Sequence, residues 1–159
     1  MTGVAYHYEL DTAAAEAGLR ALSYWQIERL AYNIGALLES ATKERIAAGK
    51  TAPDGTPWAA WAPAYAETRG GAQSLLVGEG NLRDSVQNYS RGAEAIVGTN
   101  LVYGAVHQFG AEQGTFGQTG RGEPIPWGDI PARPYLGVSD EDRRGIEALV
   151  EGDLREVLA

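Results

Sequence analysis

An apolar stripe at helical spacing between residues 27 and 41 constrains this chain more than any other feature. Its members recur every three or four positions, so they share one face of a helix several turns long. They are Ile27, Leu30, Ile34, Leu37, Leu38 and Ala41. A face of this length has to be covered by other parts of the chain, which predicts a long helix lying on the core. Gly49, which follows Lys43 and Arg45, is predicted to end this helix.

A second helical pattern occupies the C-terminal end of the chain. Ser139 or Asp140 is predicted to cap it, and Glu141 and Asp142 stand in the first turn, where negative charge is favourable. The apolar positions of this second pattern are Ile146, Leu149, Val150, Leu154, Val157 and Leu158. The chain is therefore predicted to end in a helix with one buried face.

Extended segments are predicted between and before these helices. Residues 4–10 alternate between apolar and polar positions, which indicates a strand. Residues 82–89 and 93–99 flank Ser-Arg-Gly and predict a β-hairpin, and prolines favour extended backbone over 131–139. We therefore expect one α+β domain over residues 1–159, in which a small, mostly antiparallel sheet packs with the long N-terminal helix and the C-terminal helix.

A turn followed by aromatic residues lies in the middle of the chain. Asp54 and Gly55 belong to the tight turn of residues 53–57, which is predicted to deliver Trp58 into the core. Trp61 and Tyr65 follow, and the three aromatic residues could stack on nucleic-acid bases. Their spacing is more often that of core or interface anchors. Two short helices are also predicted, at residues 63–68 and at residues 103–109, the second ending at glycine.

Residues 111–130 form a long glycine- and proline-rich segment with almost no aliphatic residues. A loop of this length is unusual within a compact domain and is commonly functional or disordered. Because it offers little to pack within its own chain, we expect it to contact another chain, and to be poorly ordered in a free subunit. The predicted interface residues in and beside it are Gly114, Phe116, Arg121, Trp127 and Arg133.

Composition and charge exclude several classes of site. The 159 residues contain no cysteine, which excludes disulfides and thiolate metal sites, and 21 acidic against 13 basic residues give a net charge of −8. A net-acidic domain is a poor candidate for binding the phosphates of nucleic acids, because affinity for phosphates comes from lysine and arginine. No apolar stretch is long enough to span a bilayer, and no secretory signal is visible at the N-terminus. No cofactor or metal site is predicted.

Catalytic motifs are also missing from the sequence. There is no nucleophile elbow, phosphate-binding loop or paired-histidine metal motif. Glu79 with Asp84 is the best candidate for an acid–base pair, although solvated turn charges are the favoured interpretation. His107 is interpreted as a buried, hydrogen-bonded structural residue. We therefore expect no catalytic residues.

Four segments, in their order along the chain, carry a resemblance to a known family. They are residues 53–58 (PDGTPW), 81–86 (NLRDSV), 97–110 (VGTNLVYGAVHQFG) and 130–137 (IPARPYLG). Together they resemble the phage virion morphogenesis family, and the resemblance runs from about Leu19 to the C-terminus. The family commonly has alanine where this chain has Gly104. Structural roles in these segments fall on Asp54, Gly55, Trp58, Leu82, Tyr103, His107 and Pro134.

The resemblance implies a structural protein of the virion, with no enzymatic activity and no cofactor. It implies a tail-completion or neck subunit at the head-proximal end of the tail, in a homo-oligomeric ring, often a hexamer. Its partners would be the tail tube and head-side neck proteins, and DNA would pass through the ring without specific binding. The protein would be found in the virion neck or tail, and in the host cytoplasm during assembly, with no membrane contact.

Two further expectations concern the most distinctive segments. Tyr103 and His107 are four positions apart and should share a helix face that braces the sheet. Arg133 lies in a proline-stiffened segment, which suits a fixed bond from its guanidinium to a carboxylate of this subunit or the next. We favour the next subunit only slightly, because the 21 acidic residues of the chain offer many internal partners.

Other functions remain open at this point. Within virion assembly, the chain could be a head-side connector or a tail tube terminator subunit. A virion-associated cell-wall hydrolase would need a pair of acidic residues in a cleft. A DNA-binding module is disfavoured by the net charge of −8.

Overall fold

The computed structural model describes residues 24–61, 63–67 and 74–158. Within them the architecture is α+β, as predicted, with a long helix, a two-stranded antiparallel sheet and a C-terminal helix. The elements are α1 (Tyr24–Glu44), a π-helical turn (Arg45–Gly49), α2 (Pro63–Ala66), α3 (Asn81–Ser85), β1 (Gln87–Asn88), β2 (Val97–Gly98), α4 (Val102–Phe109) and α5 (Asp140–Leu158). The strand predicted at residues 4–10 lies outside the described residues, as does the predicted end of the short helix at Thr68.

The long helix α1 follows the predicted stripe and continues into the π-helical turn, where Arg45 and Ile46 are buried. The helical stretch ends at Gly49, as predicted, but the left-handed residue at its end is Lys50 rather than a glycine. Lys50 adopts the left-handed conformation (φ 55°), and its amide donates to the carbonyl of Arg45 at 3.0 Å. Its ammonium also donates to the carbonyls of Ile46 and of Leu75, the latter at 3.1 Å. These bonds explain how a lysine adopts a left-handed conformation that is usually adopted by glycine.

The turn at residues 53–57 forms as predicted and places Trp58 in the core. The side chain of Asp54 accepts a hydrogen bond from the amide of Thr56 at 2.9 Å, and Gly55 has a φ of 84°. Trp58 is only 7% exposed. Its indole nitrogen donates to the carbonyl of Pro134 at 2.8 Å, so a large apolar side chain is buried with its polar atom satisfied.

The buried core unites residues that are distant in the sequence. Its members come from the π-helical turn, from residues 52–58, from residues 81–86 and from residues 130–137. They are Ile46, Ala52, Trp58, Leu82, Val86 and Tyr135. Three of the four family-like segments therefore contribute directly to one apolar cluster.

The predicted hairpin at residues 82–99 is shorter than expected. Asn81–Ser85 is helical, and only Gln87–Asn88 pairs with Val97–Gly98. Leu82 and Val86 are both buried and stand four positions apart, a spacing that fits one helical face as well as a strand. The helical alternative is stabilised by the hydroxyl of Ser85, which donates to the carbonyl of Leu82 at 2.7 Å.

The hairpin is attached to α1 by hydrogen bonds at β1. The amide of Asn88 donates to the carboxylate of Glu39 at 2.7 Å, and its side-chain amide donates to the carbonyl of Tyr32 at 2.9 Å. Lys43 lies 2.6 Å from the other oxygen of Glu39, and this contact lowers the pKa of that carboxyl. A sheet of two short strands is only marginally stable by itself, so the position of this hairpin depends on its hydrogen bonds to α1.

The C-terminal helix α5 begins at the predicted cap and packs along α1. The hydroxyl of Ser139 accepts from the amide of Asp142 at 3.1 Å, and the carboxylate of Asp142 accepts from the amide of Ser139 at 2.8 Å. This reciprocal pair is a capping box. At the far end, Arg29 contacts Asp153 at 3.3 Å and Glu156 at 3.0 Å. None of the described helices is long and apolar enough to cross a bilayer.

Candidate functional site

The two most distinctive sequence segments meet where α4 lies against residues 130–137. The side chain of Gln108 accepts from the amides of Tyr135 and Leu136, both at 3.0 Å, and donates to the carbonyl of Leu136 at 3.1 Å. The carbonyl of His107 accepts from the amide of Arg133 at 2.7 Å. These bonds satisfy backbone groups of an extended segment that pairs with neither of the two described strands. Sequence reasoning overlooked Gln108, although it lies inside a family-like segment.

Gly110 allows the chain to leave α4 at this junction. It has a φ of 78°, and an added Cβ would lie 2.8 Å from the carbonyl oxygen of Ile130 and 2.9 Å from the amide nitrogen of Ala132. The positive φ and the close backbone atoms of Ile130 and Ala132 both exclude a larger side chain at this position. The glycine at the end of the HQFG sequence therefore allows the two segments to lie together.

Arg133 is fixed within the chain by carbonyl groups. Its side chain is 5% exposed, its Nε donates to the carbonyl of Ala59 at 2.8 Å, and its Nη2 donates to the carbonyl of Ala60 at 2.9 Å. Neither bond goes to a carboxylate of the described residues, because both go to neutral backbone, so a carboxylate of the next subunit stays a prediction. Backbone carbonyls near a turn carry no side-chain signal from which these partners could have been predicted.

A cavity of about 380 Å³ lies beside Arg133. The described residues that line it come from the turn-aromatic segment, the stretch before α3, and α4. They are Trp61, Tyr65, Ser74, Leu76, Val77, Gly78, Glu79, Asn81, Leu82, Tyr103, His107 and Arg133. The cavity thus combines aromatic walls with a buried guanidinium and an imidazole.

The residues that line this cavity include two pairs of contacting aromatic rings. The rings of Trp61 and Tyr65 lie 6.1 Å apart, edge to face, and those of Tyr103 and His107 lie 5.9 Å apart in the same arrangement. Such pairs are favourable because the positive edge of one ring faces the electron-rich face of the other. Tyr103 and His107 therefore share a face, as their spacing predicts, and that face borders the cavity.

The imidazole of His107 differs from its prediction. Its Nδ1 is buried and has no hydrogen-bond partner, so the expected internal hydrogen bond is not formed at that atom. Burial lowers the pKa of His107, and the nearby charge of Arg133 lowers it further. The neutral imidazole is therefore the favoured form in the folded chain.

The carboxylate pair considered in the sequence is not assembled in the cavity. Glu79 lines the cavity, whereas Asp84 is bound to Arg83 at 2.7 Å, and this contact lowers the pKa of the Asp84 carboxyl. Glycosidic hydrolysis ordinarily uses two flanking carboxylates, and Glu79 is the one carboxylate among the described lining residues. Within the described ranges, no cluster of three or more potential metal ligands is present.

Residues 111–130, here called the arm, are held by their own backbone. Ala111 and Ile130 pair at its base, with N–O distances of 2.9 and 2.7 Å, and the amide of Phe116 donates to Ile125 at 2.8 Å. A further bond from Thr119 to Glu123 closes the tip at 2.8 Å. The segment predicted as a loop is an irregular hairpin, because these backbone bonds, together with side-chain bonds such as that from the Gln113 amide group to the carbonyl of Trp127 at 2.7 Å, order it.

The predicted interface residues of the arm are largely accessible. Trp127 is 76% exposed and Phe116 is 54% exposed. Arg121 is exposed at the tip, and Gly114 is half-buried, with its amide donating to the carbonyl of Pro126 at 3.1 Å. Large apolar side chains with this exposure are available to another surface.

A buried ion pair that the sequence did not predict connects residues 130–137 to the two long helices. Arg45 donates to the carbonyl of Tyr135 at 2.7 Å and to the carboxylate of Asp142 at 3.0 Å. All three groups are buried, and the bonds join the end of α1, residues 130–137 and the start of α5. Arg45 and Asp142 are 97 positions apart, so no local pattern in the sequence indicates their pairing.

Comparison with known proteins identifies the family. The sequence model of the phage virion morphogenesis family matches residues 10–155 of this chain. The chain belongs to the phage virion morphogenesis family. This membership confirms the resemblance carried by the four segments and supports a structural role in phage morphogenesis rather than an enzymatic one.

A curated relative agrees with this membership. The chain is similar to the Mu-like prophage FluMu G protein 2 of Haemophilus influenzae, with 38% identity over 84 residues. That alignment covers 53% of this chain and 54% of the relative, so it spans about half of each protein. No solved structure matches the chain significantly.

Proposed function

We propose that this virion morphogenesis protein is a tail-completion or neck subunit that acts at the head-proximal end of the phage tail. In this role it forms a homo-oligomeric ring, for which we expect six subunits, on the tail tube. Head-side neck proteins bind the opposite side of the ring. The protein is a component of the virion neck and is present in the host cytoplasm during assembly. Phage DNA passes through the ring without specific binding.

The observation that carries this proposal is an uncovered apolar row on α4. Val102 is 91% exposed and Phe109 is 79% exposed, and seven positions place them on one face of the helix. The arm follows this helix, and its exposed side chains Phe116 and Trp127 add to the accessible apolar surface. Apolar side chains with this accessibility are typical of protein–protein contacts, and a structural virion protein has to make such contacts.

Charge is consistent with a channel for DNA. The net charge of −8 leaves the chain with more acidic than basic groups. Binding to a DNA backbone depends on lysine and arginine that displace its counterions. An acidic ring would therefore let DNA slide past without holding it.

The proposal is tested with the double variant Val102→Ser/Phe109→Ser in the phage that encodes this chain. Both side chains are exposed, so circular dichroism should show a fold and melting temperature close to those of the wild type. Electron microscopy should then show filled heads and unattached tails in place of joined particles. Leu154→Ser, which changes a less exposed apolar residue on α5, is the control.

Different outcomes separate the alternatives. Joined, infectious particles from the folded double variant would contradict an assembly role for this face. Complete tails of normal length that accumulate beside unfinished heads would instead indicate a head-side connector. Tails of uncontrolled length would indicate a tail tube terminator.

A further inference from the structure

The charge of Arg133 lacks a counter-ion within the described residues. Its Nε and Nη2 bind neutral carbonyls, and its Nη1 makes no hydrogen bond to any described residue. No carboxylate in the described part of the chain lies within ion-pair distance of it. Burying a charge without an opposite charge is costly, because neutral dipoles replace its hydration only in part. Burial also lowers the pKa of this guanidinium, which reflects the same cost.

The cavity beside Arg133 offers a second unsatisfied group. The Nδ1 atom of His107 is buried without a hydrogen-bond partner. Buried polar atoms in native proteins nearly always have a partner, and each exception calls for an explanation. Arg133 and His107 line the same cavity of about 380 Å³, so one arriving group could satisfy both.

A carboxylate has the chemistry that both groups require. Nη1 of Arg133 can donate a charge-assisted hydrogen bond to one carboxylate oxygen. The imidazole, in the tautomer that carries its proton on Nδ1, can donate to the same group. The partly exposed rings of Tyr65 and Tyr103 at the cavity provide apolar contact for the chain that delivers the carboxylate.

We propose that the cavity of one subunit receives an acidic side chain from the arm of a second copy of this chain. This inference rests on the proposed function, in which identical subunits adjoin. The arm carries exposed carboxylates at Glu112, Glu123 and Asp129. Asp129 already accepts the amide of Gln113 at 2.8 Å, which leaves the carboxylates of Glu112 and Glu123 as the candidate acceptors for Arg133 and His107.

The geometry of such a contact suits a closed ring. An arm on one subunit and a cavity on the next form a head-to-tail interface, in which two different surfaces meet. Repetition of a head-to-tail contact generates a ring when the rotation between subunits closes. Each subunit would then supply one carboxylate and receive one.

A zero-length crosslink tests the contact directly. Arg133→Lys places an amine in the cavity, and a carbodiimide joins an amine to a carboxylate in contact with it. The amide C–N bond forms as the carbodiimide takes up the lost water and becomes a urea. The full-length variant is prepared in ¹⁴N and ¹⁵N forms, the two are mixed and allowed to exchange, and crosslinked peptides are identified by mass spectrometry.

The expected product joins position 133 of one isotopic form to an arm peptide of the other, at Glu112 or Glu123. Lys43 and Glu39, which lie 2.6 Å apart in one chain, serve as the internal control and should give products of a single isotope. If the control crosslink forms while position 133 gives no mixed-isotope product with the arm, the inference is overturned.

A second experiment leaves Arg133 unchanged, in case its substitution disturbs the fold. The double variant Glu112→Gln/Glu123→Gln should weaken self-association at least about tenfold in sedimentation equilibrium, because a desolvated charge pair is lost. Glu151→Gln, which changes an exposed carboxylate on α5, should have no effect. Equal association of the two variants, or a wild-type chain that stays monomeric at all concentrations, would overturn the inference. The particle assay with the α4 variant would still decide the proposed function.

Discussion

At the scale of single residues, Gly104 marks the closest approach between α4 and the core. An added Cβ would lie 2.7 Å from Cγ2 of Thr99 and 2.8 Å from the hydroxyl of the fully buried Tyr135. Glycine leaves room here for the tyrosine hydroxyl, and the effect of adding a methyl group can be measured.

Gly104→Ala should destabilise the fold by about 1–3 kcal/mol, because the surrounding core has to shift to admit the methyl group. Gly152→Ala is the matched control. It also lies in a helix, but nothing stands within 4 Å of its added Cβ, so the change should stabilise the protein by about 0.5–1 kcal/mol. Denaturant unfolding measures both. Effects of the same sign would contradict the close approach at Gly104.

His107 should make stability depend on pH. Its pKa is lowered in the folded chain by burial and by the charge of Arg133, whereas in the unfolded chain it returns to about 6.5. As the pH falls below that value, the unfolded state binds a proton that the folded state does not. The stabilisation is therefore complete above the unfolded pKa and is lost as the pH falls towards the lowered folded pKa.

We predict that the melting temperature of the wild type falls more steeply below about pH 6.5 than that of His107→Gln. His7 is present in both proteins, and the carboxylates are unchanged, so the difference between the two curves isolates His107. Parallel curves would show that the imidazole titrates alike in the folded and unfolded states.

At the scale of elements, the buried pair of Arg45 and Asp142 connects α1 to α5. Removing one partner of a buried ion pair commonly costs about 3–5 kcal/mol, because the other charge stays buried without compensation. Arg45→Met should therefore lower the free energy of unfolding by about that amount. Arg143→Met removes an exposed arginine 4.0 Å from Asp140 and should change it by less than about 1 kcal/mol. Equal losses in denaturant unfolding would contradict the structural role of the buried pair.

The arm can be shortened without removing its base. Deletion of residues 115–122 leaves the pairing of Ala111 with Ile130 and removes no residue of the buried core. The melting temperature should stay within a few degrees of the wild type, while the yield of complete virions falls strongly. Phe116→Ser in an intact arm should reproduce part of that fall. A normal yield from the deletion would show that the arm makes no contact needed for assembly.

The sequence predicted some elements well, and the reason lies in how each is stabilised. The helices α1 and α5 were predictable because their apolar positions repeat over many turns. The helix α3 was mistaken for a strand because Leu82 and Val86 fit both patterns and the segment is too short to distinguish them. The hairpin form of the arm was missed because its order comes from backbone and side-chain hydrogen bonds, which leave no periodic apolar pattern in the sequence.

The candidate site, like the fold, has some features that the sequence predicted and others that it did not. The turn at residues 53–57 and the burial of Trp58 followed from local residue types. The cavity did not, because its lining comes from segments that only the fold brings together. The partners of Arg133 are carbonyls, and those of Arg45 lie 90 and 97 positions away, so neither left a local signal in the sequence.

At the scale of the whole molecule, apolar and charged groups are arranged for contact with other chains. The core and the buried pair of Arg45 with Asp142 join the end of the long helix to residues 130–137 and α5, while α4 and the arm present exposed apolar side chains. The cavity adds a guanidinium that has no counter-ion among the described residues. A subunit of this kind has its fold complete and its external contacts unsatisfied, as expected of a protein that works in an assembly.

The most direct test of the central claim is electron microscopy of particles made by the encoding phage when this chain is not produced. We predict filled heads and separate tails in the lysate, with joined, infectious particles restored when the wild-type chain is supplied from a plasmid. Joined particles in normal number without the chain would contradict its role at the head-proximal end of the tail.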